Sequence, residues 1–294
     1  MKIFIVGGSG VIGSYFVKSF AKENSDITYT YYKNKAPYPK GINLDIQDHG
    51  DTIKTLKKFH PDHVIIANAL TGVDLCETNP SLAESINVKG TRNIVDGCKM
   101  INSKLIFIST SAVFNGKKTE YSENDKPEPT GIYGLTKFQG EKIIQESNLP
   151  FLILRTDQPY CWKEKWQHTN SVIRVIENLE KNQQFKEVVD WYNTPTYVPD
   201  FVNATKELIQ KDLEGIFHLV GSDFISRYDW SQKVADIFHL KKNLIKPIDS
   251  SELKLSVKRN NIKLNNDKLL QNTGYKMTGV EEGLRKMSVE RISR

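Results

Sequence analysis

The chain opens Met1-Lys2-Ile3-Phe4-Ile5-Val6-Gly7-Gly8-Ser9-Gly10-Val11-Ile12-Gly13, and no other stretch restricts the fold as much. An apolar run suited to a buried strand leads straight into G-G-x-G-x-x-G. Helical spacing follows through Val11, Tyr15, Lys18 and Ala21. A strand, a glycine turn and a helix start in this order form a seat for a dinucleotide pyrophosphate. Gly8 is expected to take backbone angles closed to other residues. Gly10 would let the main chain approach a phosphate, and Gly13 would let helix and strand pack closely. The helix N-terminus would offer free N–H groups and partial positive charge to the anion. Gly7, Gly10, Val11, Ile12 and Gly13 are therefore candidate cofactor contacts.

Further strand-like runs recur at Ile27–Tyr32, His63–Ala67, Lys104–Ser109 and Phe151–Leu154, with weaker ones at Val188–Trp191 and Ile216–Val220. Between them the spacing predicts helices over Val11–Lys22, Asp51–Phe59, Pro80–Lys99 and Ile132–Glu146, the third opened by Asn79-Pro80. This alternation predicts an α/β fold with a doubly wound parallel sheet. After Arg155 the regularity falls. Turn-rich stretches (157–170, 193–199, 246–251) separate helical patterns at Ser171–Lys181, Asp200–Lys211 and Ser226–Phe238. The expected organisation is a dinucleotide-binding domain over 1–156 and a smaller α/β substrate-binding region over 157–294, with interleaved boundaries.

Composition narrows the function. A net charge of +6, with acids and bases mixed, gives no arginine-rich arm and no basic–aromatic repeat, so no nucleic-acid partner is expected. No apolar run spans a bilayer, so no membrane partner is expected. Three cysteines without a CxxC suit a reduced, cytoplasmic protein. His60 and His63 stand apart from other ligands, so no metal is expected. Cys76 reads as a buried small residue, and core packing is the expected use of most of Trp162, Trp166, Trp191 and Trp230.

A second cluster carries chemistry. Tyr133-Gly134-Leu135-Thr136-Lys137 places a phenol and an ammonium one helical turn apart on one face. A nearby cation is expected to lower the phenol pKa and make Tyr133 a proton donor or acceptor. Ser109-Thr110-Ser111 follows a strand, where open α/β sheets bind ligands.

With these residues in view, the chain resembles the extended short-chain dehydrogenases/reductases, and among them the dTDP-4-dehydrorhamnose reductases and related nucleotide-sugar 4-ketoreductases. The resemblance rests on Gly7–Gly13, Ala67-Asn68-Ala69, the 73–77 and 87–93 stretches, Ser109–Gly116 and Tyr133–Lys137. It covers nearly all of the first 156 residues. It implies a Rossmann sheet. It also implies a catalytic Thr110, Tyr133 as the acid that protonates the developing alkoxide, and Lys137 on the nicotinamide ribose. Asn87 matches the family's structural or active-site asparagine. Asp45-Ile46 matches the adenine contact, and Ala67, Asn68 and Ala69 would line the cofactor cleft. Ser111 stands where many rhamnose-type reductases have Asp, and Lys258-Arg259 where the family places a substrate-holding arginine.

NAD enzymes usually carry an acid about 20 residues past the glycines. Here Tyr31-Tyr32-Lys33-Asn34-Lys35 has no carboxylate to repel a 2′-phosphate and two lysines to attract one. The reading is NADPH, with NADH left open. The function implied is reduction of the C4 keto group of a 4-keto-6-deoxy nucleotide sugar, in deoxysugar and surface-polysaccharide biosynthesis. A homodimer is compatible with it. Two alternatives stay open: a nucleotide-sugar epimerase or dehydratase with tightly bound NAD, and a regulatory subunit like that of methionine adenosyltransferase.

Overall fold

The computed structural model describes residues 1–23 and 25–292. Its main sheet holds seven strands: β1 (Lys2–Val6), β2 (Asp26–Tyr31), β3 (Gly41–Asn43), β4 (His63–Ile66), β5 (Lys104–Thr110), β6 (Phe151–Thr156) and Gly215–His218. The spatial order is β3-β2-β1-β4-β5-β6-(Gly215–His218), and every neighbouring pair is parallel. The doubly wound parallel sheet expected from the alternation is present. The chain first runs outward from β1 through β2 and β3. It then returns to the other side of β1 with β4. The carboxyl ends of β1 and β4 therefore face helices leaving in opposite directions, and a crevice opens between them.

Alternate residues of each strand feed two cores, because a parallel sheet is covered on both faces. One face, with Ile3, Ile5, Ile65, Ile106 and Leu154, packs Phe16, Val17 and Phe20 of the helix Val11–Lys22 and Phe201, Val202 and Leu208 of the helix Val198–Gln210. The other, with Phe4, Val6, Val64, Phe107 and Ile153, packs Leu56, Ile94 and Ile144 from three further helices. A separate core of Val172, Ile176, Trp230, Val234 and Leu284 supports the later residues. Among the described residues, no helix is long and apolar enough to cross a membrane.

Several local readings change. The region expected as one helix over Pro80–Lys99 is Pro80–Glu84, a π-helical turn Ser85–Lys89 and Gly90–Lys99. The weak strand at Val188–Trp191 is displaced to Phe185–Val188, which pairs in parallel with Ile245–Ile248 inside a stretch expected as turn. At the glycine turn the left-handed conformation belongs to Gly7 (φ +79) and not to Gly8. Gly8 is small for another reason: a Cβ there would lie 2.5 Å from Tyr29 Cβ on β2.

Candidate active site

A cleft of about 790 Å³ lies over the carboxyl ends of β1, β4, β5 and β6. Gly7, Gly10, Val11 and Ile12 form one end of it, with Lys33 and Asn34 beside them. Ala67, Asn68 and Ala69 follow β4 along its wall, and Thr110, Ser111, Tyr133 and Lys137 line it further on. Lys258 and Arg259 also line it. The remaining expected residues stand outside the wall. Gly13 packs underneath, where a Cβ would lie 2.2 Å from Gly7 O. Lys35 is exposed. Ile46 is buried in the core, and Asp45 accepts from Gln47 N at 3.0 Å.

The glycine end fits a dinucleotide pyrophosphate. Gly10 N donates to Gly7 O at 2.9 Å and closes the turn. The helix that follows has Gly10 as N-cap, no side-chain cap and no acid in its first turn. Its first N–H groups thus have neither an intrahelical acceptor nor a competing carboxylate. Asn68 Oδ1 on the wall is buried without a hydrogen-bond partner.

The helix Ile132–Gln145 carries Tyr133 and Lys137. Its N-cap, Gly131, has no side chain to cap with, and Glu77 Oε1 instead accepts from Ile132 N at 2.6 Å. Two glycines let the helix lie close to β5. A Cβ at Gly134 would be 2.1 Å from Ala112 O, and one at Gly140 would be 2.7 Å from the Phe107 ring. The close approach brings the Thr110 hydroxyl, at the end of β5, near enough to the Tyr133 phenol to favour its ionised form. It also brings the Lys137 ammonium 3.9 Å from the centroid of the Phe107 ring.

The phenol pKa differs from the sequence reading. Burial pushes Tyr133 up to about 12, and the Thr110 hydroxyl only moderates the rise. Burial pulls Lys137 down to about 7, against the opposing charge of Glu141. The ammonium is too desolvated to act as the full cation that would lower the phenol. Behind Lys137, Glu141 accepts from Arg155 Nε at 2.9 Å, Arg155 Nη2 at 2.7 Å and Ser109 Oγ at 2.5 Å. This bidentate pair is buried.

Asn87 sits in the π-helical turn and joins two walls. It accepts from Leu70 N at 2.8 Å, and its amide donates to Leu70 O and, at 3.1 Å, to Thr136 Oγ1. Ser111 donates to Asp157 Oδ1 at 2.9 Å, and Thr194 N donates to Asp157 Oδ2 at 2.8 Å. Burial pushes the Asp157 carboxyl up to about 6. Arg259 is already engaged: it pairs with Asp74 Oδ2 at 2.5 Å and donates to Val257 O at 2.6 Å. Trp166 and Trp191 line the cleft, whereas Trp230 is core. Glu77 and Glu141 carry no role that their local sequence announces.

A family model described as RmlD substrate binding domain matches residues 1–292. Among curated relatives, the chain is 27% identical over 294 residues to methionine adenosyltransferase 2 subunit beta of Mus musculus, covering 96% of this chain and 87% of that protein. It is 29% identical over 201 residues to dTDP-4-dehydrorhamnose reductase of Aggregatibacter actinomycetemcomitans, covering 66% and 67%. Among solved structures, dTDP-4-dehydrorhamnose reductase of Bacillus anthracis in complex with NADP superposes with a TM-score of 0.89, at 26% identity, covering 98% of this chain and 99% of that one.

Proposed function

Since the chain belongs to the RmlD substrate binding domain family, we propose that it is an NADPH-dependent reductase of the C4 keto group of a 4-keto-6-deoxy nucleotide sugar. The observation that carries the reading is the set Thr110, Tyr133 and Lys137 lining one cleft, whose other end is an uncapped helix behind a glycine turn.

Gly7, Gly10, Val11 and Ile12 would hold the pyrophosphate, Lys33 and Asn34 the adenosine end, and Lys137 the nicotinamide ribose. NADPH would supply the hydride. Tyr133 supplies the proton. At about 12 its phenol stays protonated at neutral pH, which is the state a reductase needs to neutralise an alkoxide. Thr110, beside that phenol on the cleft wall, would orient it. Lys137, near 7, can pass a proton from solvent back to Tyr133. Ser111, held by Asp157, offers its oxygen to a sugar hydroxyl.

The test is NADPH oxidation against 4-keto-6-deoxy sugars on dTDP, UDP and GDP. Stoichiometric consumption with one of them supports the proposal, and none with any refutes it. The mouse relative's name favours a second reading, a non-catalytic subunit of another enzyme. That reading expects no consumption, and an epimerase expects none that is stoichiometric.

A further inference from the structure

A short segment reaches from the substrate-side half of the chain back onto the glycine turn. Trp166 Nε1 donates to Ser9 O at 3.1 Å. Gln167 Nε2 lies 3.0 Å from both Ser9 O and Gly10 O, and 3.1 Å from Ser14 Oγ. The segment is anchored on either side. Lys18 pairs with Glu164 at 3.0 Å, and Asn170 Nδ2 donates to Cys161 O at 2.7 Å. Asn170 also caps the next helix, accepting from Ile173 N at 3.1 Å.

The Gln167 amide can sit only one way round. Its Oε1 accepts from Glu164 N at 2.9 Å. Turned over, it would present oxygen to two carbonyls and to a hydroxyl whose proton goes to Val11 O at 2.9 Å. The side chain is 8% exposed, so water cannot replace it cheaply.

The carbonyl side of the turn is thereby fixed, and a trans peptide sets its N–H opposite its C=O. Gly10 O is held by Gln167 and by Ser14 N at 2.9 Å, so the N–H of Val11 faces away from Gln167. The Ser9–Gly10 unit has its oxygen on Trp166 and Gln167 and its N–H on Gly7 O. We propose that Gln167 is a positioning residue for dinucleotide binding. Its amide holds the carbonyls of the glycine turn so that the N–H of Val11, opposite the Gly10 carbonyl, stays directed at a pyrophosphate. This rests on the dinucleotide reading given under Proposed function.

The test is binding, read by titration of the whole protein with NADPH and with 2′-AMP, which has no pyrophosphate. Gln167→Leu should weaken NADPH about tenfold, on the order of one oriented charge-assisted hydrogen bond, and leave 2′-AMP unchanged. Trp166→Phe keeps the ring and removes one donor to Ser9 O. It should move NADPH the same way by a smaller factor, and it serves if the Leu variant does not fold. NADPH affinity unchanged in a folded variant overturns the proposal. So does an equal loss for both ligands, which would mean general loosening. Wild-type protein that binds neither ligand refutes the functional reading itself.

Discussion

Replacing Lys137 by Met should make the protein more stable and inactive at once. Lys137 is 2% exposed, and burial brings its pKa from 10.5 down to about 7. Each tenfold change in proton affinity is worth about 1.36 kcal/mol. Holding this ammonium in the folded state therefore costs about 4 to 5 kcal/mol wherever both states carry the proton, that is, below pH 7. The contact with the Phe107 ring at 3.9 Å returns about 1 kcal/mol, leaving a net cost of about 3 to 4. Between pH 7 and 10.5 the unfolded chain keeps the proton and the folded one does not, so wild-type stability rises with pH through this window. Met keeps the length of the stem and does not titrate. By this reckoning K137M should exceed wild type by about 3 to 4 kcal/mol at pH 6, by about 2 to 3 at pH 8.5 and by less than about 1 at pH 10. Urea unfolding of both proteins at the three pH values measures this, and the comparison cancels groups common to both. Turnover should vanish in K137M. A stability difference that is flat with pH, or a variant less stable than wild type at pH 6, would refute the argument that this lysine is held at an energetic cost.

Tyr133→Phe keeps the ring and removes the proton, so kcat should fall by a factor on the order of 10² to 10⁴ with NADPH affinity nearly unchanged; near-normal turnover in a folded variant overturns the acid assignment. NADPH should bind more tightly than NADH, and the double change Lys33→Ala, Lys35→Ala should shrink the gap. Because only Lys33 lines the cleft, Lys33→Ala alone should produce most of that effect in a fluorescence titration, and an equal share from Lys35 would contradict it. Arg259→Ala should raise the Michaelis constant for the nucleotide sugar at least about tenfold. If Arg259 acts by pinning its segment to Asp74, Asp74→Ala should raise it too. If Arg259 instead reaches the substrate, freeing it from Asp74 should leave that constant unchanged or lower it.

The sheet was readable because each of its longer strands is a short apolar run bounded by turn residues, and a parallel strand buried on both faces needs such a run. β3 carries no such signal, because Gly41-Ile42-Asn43 is a three-residue edge strand with one apolar side chain. The helix Val280–Ile292 was missed because charged residues dilute its pattern and Gly283 interrupts it. That glycine has a tertiary cause: a Cβ there would lie 2.1 Å from Tyr160 Oη. At the site, Tyr133 and Lys137 can be paired from their spacing only because they start a helix after a βα segment; Tyr29/Lys33 and Tyr31/Lys35 have the same spacing in a strand or turn. The pKa values cannot be read this way, since desolvation depends on which strand the helix lies against. Arg259 and Asp74 are 185 residues apart, and Gln167 reaches Ser9 across 158. The family resemblance marks Arg259 but not its partner, no local pattern marks Gln167, and both contacts form only when the chain folds back.

The strand Gly215–His218 has a practical consequence. It pairs along β6, from Leu152 opposite Gly215 to Arg155 opposite His218. A fragment ending at residue 156 would leave β6 as a bare edge of unpaired N–H and C=O groups, flanked by side chains that are fully buried in the whole chain. Such an edge is a template for pairing with a second chain. The same cut removes Phe201, which packs edge-on against Phe16 at 6.1 Å, and strips the apolar cover from the glycine-turn helix. The first 156 residues therefore cannot be excised at the point where the sequence motifs stop. A soluble minimal form must carry the chain through residue 218, and with it the whole segment that seats Gln167 against the turn.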